Sequence, residues 1–389
     1  MSSIEQIHDR LSRMQRYSQL QIAAFLACVM VITSLGTPVL QGQERKSDAS
    51  VEPTHLRILN LNILQGGNPA REIGRTSPLY RKPRHQHIAK LILQMKADIV
   101  GTTEPRSIDN DPILIELQKH DSKWNRFGKV YSRFPVSADP LNSKNSSRDS
   151  IAHRVEIVDG KFVYIHVAHW WPSNGYGPDV VMKHVQAGTV DNDPKKFEEK
   201  VLKSMSTPGS YNLTLRRLKP HLDAGHAVFL LGDFNESSHL DWTEEYARRG
   251  PDRWVDNPTK MPLRFPIQWR GSKTFTDAGM RDAYRTIFPN PVTHPGYTWT
   301  PPYDNGTPGR RPYDGDKGPN QILDRIDWVM FAGKGVSVKS AATVGEKFTN
   351  KEHLSEGRRK PVYVPEIQYD GPWPSDHRGV LATFVISDE

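Results

Sequence analysis

Eight polar residues of this 389-residue chain stand where short apolar runs begin or end. Asn62 closes Leu59-Asn60-Leu61, and Glu104 follows Ile99-Val100-Gly101-Thr102-Thr103. His169 closes the run from Phe162, and Asp233 and Asn235 follow Phe229-Leu230-Leu231-Gly232. Asp327 lies in Arg325-Ile326-Asp327-Trp328, while Asp376 and His377 precede Arg378-Gly379-Val380. Glu, Asp and Asn are hard oxygen donors of the kind that Mg²⁺, Mn²⁺ or Ca²⁺ takes. Two histidines, each with carboxylates available to orient it, suit proton delivery and charge stabilisation at phosphorus. Taken singly, each residue has an ordinary explanation. Asn62 could face solvent from a strand, Glu104 could cap a loop, and Asp233-Phe234-Asn235 could be a turn. Asp327 could pair at a strand edge, His169 could pack in a core beside Trp170-Trp171, and Ser375-Asp376-His377 could cap a helix. As a set they form one chemical inventory. The chain has no GxxxxGK[ST] phosphate loop and no GxSxG elbow, so neither a nucleotide-driven motor nor a serine esterase is supported.

The elements that must position these residues follow from periodicity. LRILNLNIL from Leu56 alternates apolar and polar residues as a strand does, and Gly66-Gly67-Asn68-Pro69 ends it. His85–Met95 places Ile88, Leu91, Ile92 and Met95 at helical spacing; Ala97–Gly101 is a short strand leading to Glu104. A helix is expected over Pro112–Lys119 and a strand over Lys129–Arg133. Ile151–Val158 and Lys161–His169 form a hairpin through Asp159-Gly160. A loop is expected from Pro172 to about Asp193, a helix over Asn212–Asp223, and a strand over Ala227–Leu231 that runs into Asp233. Residues 243–273 read as loop-rich, Asp282–Ile287 as a helical turn, Tyr297–Thr300 as a strand and Tyr303–Asn320 as a Gly/Pro-rich loop. Strands are expected over Arg325–Phe331, Val336–Val344 and Val380–Ile386, with a charged loop over Gly345–Pro361. Strands outnumber helices and the two alternate irregularly, a sandwich pattern rather than a regular βαβ series.

Nine Trp, 13 Tyr and 13 Phe spread among apolar runs supply a core, which excludes disorder for the bulk of the chain. The single cysteine, Cys28, excludes a disulfide framework and a cysteine-ligated zinc site. A net charge of +8 fits a polyanion, a phosphate ester or an anionic surface, and equally simple solubility. Arg10, Arg13 and Arg16 precede the uncharged run Ile22–Gly36, which gives residues 1–42 the form of a signal peptide or signal anchor. Export is therefore expected, to the periplasm or medium, or to a membrane if the signal is retained. Residues 43–54 read as a linker and 55–389 as one folded domain, which the resemblance described next makes the catalytic domain.

The segments LNLN, ADIVGTTE, YSRFPV, VYIHVAH, LLGDFN, RIDWVMF and PSDHRGVLATF occur in that order between Leu56 and Val385. The set resembles the endonuclease/exonuclease/phosphatase superfamily, which includes DNase I-like nucleases, inositol-polyphosphate phosphatases and neutral sphingomyelinases. The resemblance implies a four-layered α/β sandwich of two mixed β-sheets flanked by helices. It implies that Glu104, with Asn62 beside it, binds a divalent metal, Mg²⁺ with Mn²⁺ or Ca²⁺ as alternatives. Asp376 is a further metal-binding or histidine-orienting carboxylate. Asp233 would position or deprotonate the attacking water, and Asn235 would hold the nucleophile or phosphate. His377, held by Asp327, would stabilise the pentacovalent phosphorus or the leaving oxygen, with His169 on the phosphate from the other side. The family usually has Gln before the metal-binding Glu; Thr103 stands there in this chain.

The expected function is thus an exported, metal-dependent phosphodiesterase acting on nucleic acid or a phospholipid. A phosphomonoesterase and a non-catalytic binding module on the same scaffold are the alternatives. Trp170, Trp171, Trp242, Trp254, Trp269 and Trp373 could touch a membrane interface or pack in the core. No obligate protein partner is evident, and a monomer is expected.

Overall fold

Period-2 alternation along the strands decides which side chains meet. The computed structural model describes residues 54–70, 79–106, 110–141, 152–170, 177–205, 208–254, 259–299, 322–347 and 364–387. The proposed signal, most of the linker and the loops at 303–320 and 348–361 lie outside the described residues. One sheet contains β1 (Thr54–Asn62), β2 (Ile99–Thr103), β3 (Asn125–Phe127), β4 (Val130–Ser132), β11 (Val336–Glu346), β12 (Ile367–Tyr369) and β13 (Gly379–Ile386). Its order is β12-β11-β13-β1-β2-β4-β3. The other contains β5 (Val136–Ala138), β6 (His153–Val158), β7 (Lys161–His169), β8 (Val228–Asp233), β9 (Arg281–Asp282) and β10 (Asp327–Ala332). Its order is β5-β6-β7-β8-β10-β9. Both sheets mix parallel and antiparallel pairs: β1–β2, β7–β8 and β11–β12 are parallel and the other ladders antiparallel.

Leu56 and Ile58 of β1, Val163, Ile165 and Val167 of β7, Phe229 and Leu231 of β8, and Val329 and Phe331 of β10 share one core cluster between the sheets. The intervening residues face outward. Leu59 and Leu61 pack on α1 (His85–Gln94) and α2 (Pro112–His120) through Ile88, Leu91, Ile92, Ile113 and Leu117. Leu230 and Met330 pack with Leu218 of α5 (Pro208–Asp223) and Phe275 of α7 (Arg270–Asp277). Helix, sheet, sheet, helix gives the four-layered sandwich that the family resemblance implies. A lateral cluster joins α3 (Gly177–Gln186) and α4 (Pro194–Ser204) to Trp242, Trp254 and Trp269. Two short helices, α6 (Glu244–Arg249) and α8 (Ala283–Ile287), complete the described α-helices, and single 3-10 turns lie at Gln65–Gly67 and Leu79–Arg81.

Several local expectations differ from the structure. Residues 177–186 form a helix where a loop was expected, because Val180, Val181 and Val185 are poor helix formers that nonetheless bury one face. Helix α4 begins at Pro194 behind an Asp193 N-cap. Residues 243–273 contain α6 and the start of α7. Of the strand expected over Tyr297–Thr300, the described residues 297–299 make only an isolated bridge, between Trp299 and Asp324, and Thr300 lies outside the described residues. Trp170, Trp242, Trp254, Trp269 and Trp373 are buried, so these five form core rather than a membrane contact. Trp171 lies outside the described residues.

Candidate active site

The inward parity that fills the core ends, strand by strand, in polar residues at one edge of the sandwich. In β1 the series Leu56, Ile58, Asn60 finishes at Asn62; in β7 Val163, Ile165, Val167 finishes at His169. In β8 Phe229 and Leu231 lead to Asp233, and in the antiparallel β10 Asp327 precedes Val329 and Phe331. Register brings these ends level: His169 opposes Asp233, Asp233 opposes Asp327, and Asn62 opposes Thr103. The two sheets are pinned below this edge by the Asn60 Nδ2, which donates to the Gly232 and Trp328 carbonyls at 2.9 and 3.3 Å. Gly232 is required there, since any Cβ would collide with the Ala168 carbonyl.

Asn62 is the hub of the cluster. Its Nδ2 donates to Glu104 Oε1 at 3.1 Å and to Asp233 Oδ2 at 3.0 Å, and its Oδ1 accepts from the Leu64 amide at 2.9 Å. The reversed amide would face oxygen with oxygen and N–H with N–H, so the network fixes the orientation. In this arrangement Asn62 draws two carboxylates together as a donor. Glu104 has φ of 56°, a left-handed conformation costly for a side chain of this kind, and its Oε2 accepts from the Gln65 amide at 2.9 Å. Support for Glu104 thus comes from Asn62 and Gln65 rather than from position 103.

On the opposite side, His377 Nδ1 lies 3.0 Å from Asp327 Oδ2, and its Nε2 lies 3.6 Å from Asp233 Oδ2. Asp327 is held by its own backbone amide, which donates to Thr298 Oγ1 at 3.1 Å. The Trp299 ring lies 4.4 Å from the imidazole of His377. His169 Nε2 lies 3.5 Å from Asp233 Oδ2. The Asn235 amide donates to Asp233 Oδ1 at 3.1 Å, while its side chain donates to the Trp170 carbonyl at 2.8 Å. Asp376 is buried beside His377 and lies in its electrostatic field. All eight residues singled out in the sequence therefore converge at one edge.

Burial sets the electrostatics. It raises the Asp233 carboxyl to about 7, against the opposing pull of His377. Burial also disfavours the His377 cation, but Asp327 and Asp233 overcome it and carry the group to about 10. Burial lowers His169 to about 4, with Glu104 opposing, so His169 is neutral at pH 7. The cluster pairs one cationic and one neutral imidazole with a carboxyl that changes state near neutrality.

Asp233, Asp327 and His377 each offer a ligand atom within 4.8 Å of the others, so this buried group could hold a metal ion. Asp327 Oδ1 is buried with no hydrogen-bond partner among the described residues. The carboxylates gathered at this edge, Glu104, Asp233, Asp327 and Asp376, are oxygen donors, and these are the part of the set that fits a hard divalent cation.

Residues 59–377 match the model of the Endonuclease/Exonuclease/phosphatase family. The chain belongs to this family. Over 165 residues it is 29% identical to a curated Caenorhabditis elegans protein described as "Uncharacterized protein F14F9.5"; the match spans 41% of this chain and 41% of that relative. Among solved structures it is similar to truncated C. elegans TDP2 (16% identity, 85% of this chain and 97% of that one, TM-score 0.38). It is also similar to D. rerio TDP2 complexed with a single-strand DNA product (12% identity, 85% and 99%, TM-score 0.41). A Bacteroides vulgatus endonuclease/exonuclease/phosphatase matches at 16% identity over 86% of this chain and 100% of that one, TM-score 0.40.

Two features of this family member escaped the sequence reading. Arg84, fully buried at the start of α1, donates from Nη2 to the Leu64 carbonyl at 2.6 Å, next to the Gln65 amide that holds Glu104. Asp376 and Glu104 act on it electrostatically, and burial lowers its pKa. Behind β10, Arg325 pairs with Asp241 and Asp282 at 2.9 and 2.8 Å, Arg285 with Asp241 at 2.5 Å, and Arg253 with Asp324 at 2.9 Å. These charges are all buried, and they fix the chain immediately before Asp327. The RID motif marked Arg325 only as a neighbour of Asp327; its partners lie 43 and 84 residues away.

Proposed function

We propose that this protein hydrolyses a phosphodiester by in-line attack of water on phosphorus. The observation that carries the reading is the meeting of Asp233 with His169, His377 and the Asn62-held Glu104 at one edge of the sandwich. Asp233, raised toward neutrality, takes the proton of the attacking water. His377, kept cationic by Asp327 and Asp233, faces the charge that develops on the phosphoryl or leaving oxygen. Neutral His169 hydrogen-bonds a phosphate oxygen from the other side, and Asn235 holds the nucleophile or the phosphate. Glu104 and Asp376, with Asn62 orienting Glu104, would hold Mg²⁺, or Mn²⁺ or Ca²⁺ in its place. When bound, the cation neutralises charge on a phosphate oxygen.

The net charge of +8 favours a polyanionic substrate such as nucleic acid. The burial of the five described tryptophans removes the feature that had favoured a lipid surface. Export through residues 1–42 is part of the proposal and is checked by N-terminal sequencing of protein recovered from secreted fractions.

Hydrolysis of bis-p-nitrophenyl phosphate, p-nitrophenyl phosphate and plasmid DNA, with Mg²⁺ or with EDTA, tests the assignment. Metal-dependent turnover of the diesters, faster than of the monoester, is expected. Faster monoester turnover would replace the reading with a phosphomonoesterase. Mg²⁺ binding without turnover of any substrate would replace it with a binding module.

A further inference from the structure

A second group of metal-ligating side chains lies outside the candidate active site. Asp139, just after β5, is fully buried, and its Oδ2 lies 2.8 Å from Nε2 of His221 in the last turn of α5. The Nδ1 of His221 faces the Nδ1 of His226 at 3.2 Å, and His226 is exposed on the connection into β8. Tyr164 of β7 stacks on both rings, with centroids 3.7 Å from His221 and 5.1 Å from His226, which fixes their planes. The His226 amide donates to the His221 carbonyl at 3.0 Å, which fixes their separation.

We propose that His221 and His226 form a transition-metal site through their Nδ1 atoms, with Asp139 as the carboxylate that orients His221. Imidazole nitrogens bind zinc at about 2.0–2.1 Å, and two such bonds in a tetrahedron place the nitrogens roughly 3.3 Å apart. The spacing of this pair is already close to that value. A carboxylate on the far nitrogen of a ligating histidine fixes its tautomer and raises its basicity. Here the Asp139 carboxylate takes the Nε2–H of His221 and leaves the Nδ1 lone pair facing His226. Metal entry then requires only that the neutral His226 carry its proton on Nε2 rather than Nδ1, or that a protonated His226 release its Nδ1 proton to water. Water fills the remaining positions, and the exposed face of His226 provides access. Two imidazoles select Zn²⁺, Ni²⁺ or Cu²⁺ over Mg²⁺ and Ca²⁺, which separates this site chemically from the carboxylate-rich edge. A bound ion would tie the last turn of α5 to the connection that leads into β8.

The test is calorimetric titration of the full chain with Zn²⁺, comparing wild type with His226→Ala and Asp139→Asn. Wild type should bind one more equivalent than His226→Ala, a surface substitution that leaves the core intact. Asp139→Asn should retain that equivalent with affinity 10–100-fold weaker. Added Zn²⁺ should raise the melting temperature of wild type more than that of His226→Ala. Identical stoichiometry and affinity in wild type and His226→Ala would overturn the site and leave the pair as a hydrogen bond between imidazoles. Unchanged affinity in Asp139→Asn would overturn the orienting role of the carboxylate.

Discussion

Asp327 and His377, fifty residues apart in the chain, meet at 3.0 Å through Oδ2 and Nδ1 beneath the edge where β8 and β10 end. The contact fixes the ring so that Nε2 points toward Asp233, and it supplies the charge that keeps the imidazole protonated. Asp327→Asn keeps the shape and removes that charge. We expect phosphodiesterase activity to fall roughly 10²–10⁴-fold. Because Asp327 raises the pKa of His377, the alkaline limb of the pH–rate profile should move toward lower pH in Asp327→Asn. A limb at the same pH in both proteins would show that the profile reports another group.

Asn62 holds Glu104 and Asp233 with one amide nitrogen. Asn62→Asp replaces that donor with a third carboxylate. Without metal this variant should melt at lower temperature than wild type at pH 8 and recover as the pH falls, because protonation removes the repulsion. Thermal melts at pH 5 and pH 8 in EDTA check both parts.

Arg84 satisfies the Leu64 carbonyl from within the core. Arg84→Met leaves that carbonyl without its donor and frees the turn that presents Gln65 to Glu104. A loss of about 1–3 kcal/mol is expected from denaturant unfolding. Mg²⁺ affinity, measured by calorimetry on the folded variant, should fall with it. Arg84→Lys, which keeps the charge, should recover part of both.

Glu236 is buried, and desolvation raises its carboxyl from 4.5 to about 7, with the Gly271 amide opposing. The folded protein therefore holds a proton between these values that the unfolded chain has released. This contribution to stability is complete below pH 4.5, declines as pH rises to about 7, and is then lost. Glu236→Gln should match wild type near pH 4 and exceed it by roughly 2–3 kcal/mol at pH 8. Urea unfolding at the two pH values measures the difference.

Asp241 accepts from both Arg285 and Arg325 with all three side chains buried. Asp241→Asn leaves two guanidiniums underpaired in the core. Destabilisation of about 3–5 kcal/mol is expected in chemical unfolding.

The edge that carries the candidate site was readable because strand alternation is local. Once LRILNLNIL is read as period 2, the inward positions of β1 are fixed and Asn62 is the last of them. The same reasoning places His169, Asp233 and Asp327. Helix α4 also carried a readable start, Asp193-Pro194, that the sequence reading passed over. Arg84 was not readable, since nothing local separates it from Arg81 or Lys82; only the folded chain brings it beneath Leu64. The charges around Arg325 were hidden for the same reason, because a buried ion pair between residues 84 apart leaves no periodic trace. The tryptophans could be read either way from the sequence, because an aromatic residue in a loop-rich segment can face solvent or core. The structure puts Trp242, Trp254 and Trp269 in the lateral cluster, Trp170 against α5 and α7, and Trp373 against the first sheet's outer helices.

The proposed reaction turns on attack of phosphorus by a water held by Asp233. Hydrolysis of a phosphodiester in ¹⁸O-labelled water with Mg²⁺, comparing wild type with Asp233→Asn, tests it most directly. One ¹⁸O is expected in the phosphate monoester product and none in the released alcohol, with turnover reduced at least about 10²-fold in Asp233→Asn. Label in the alcohol, or equal turnover by the two proteins, would contradict it.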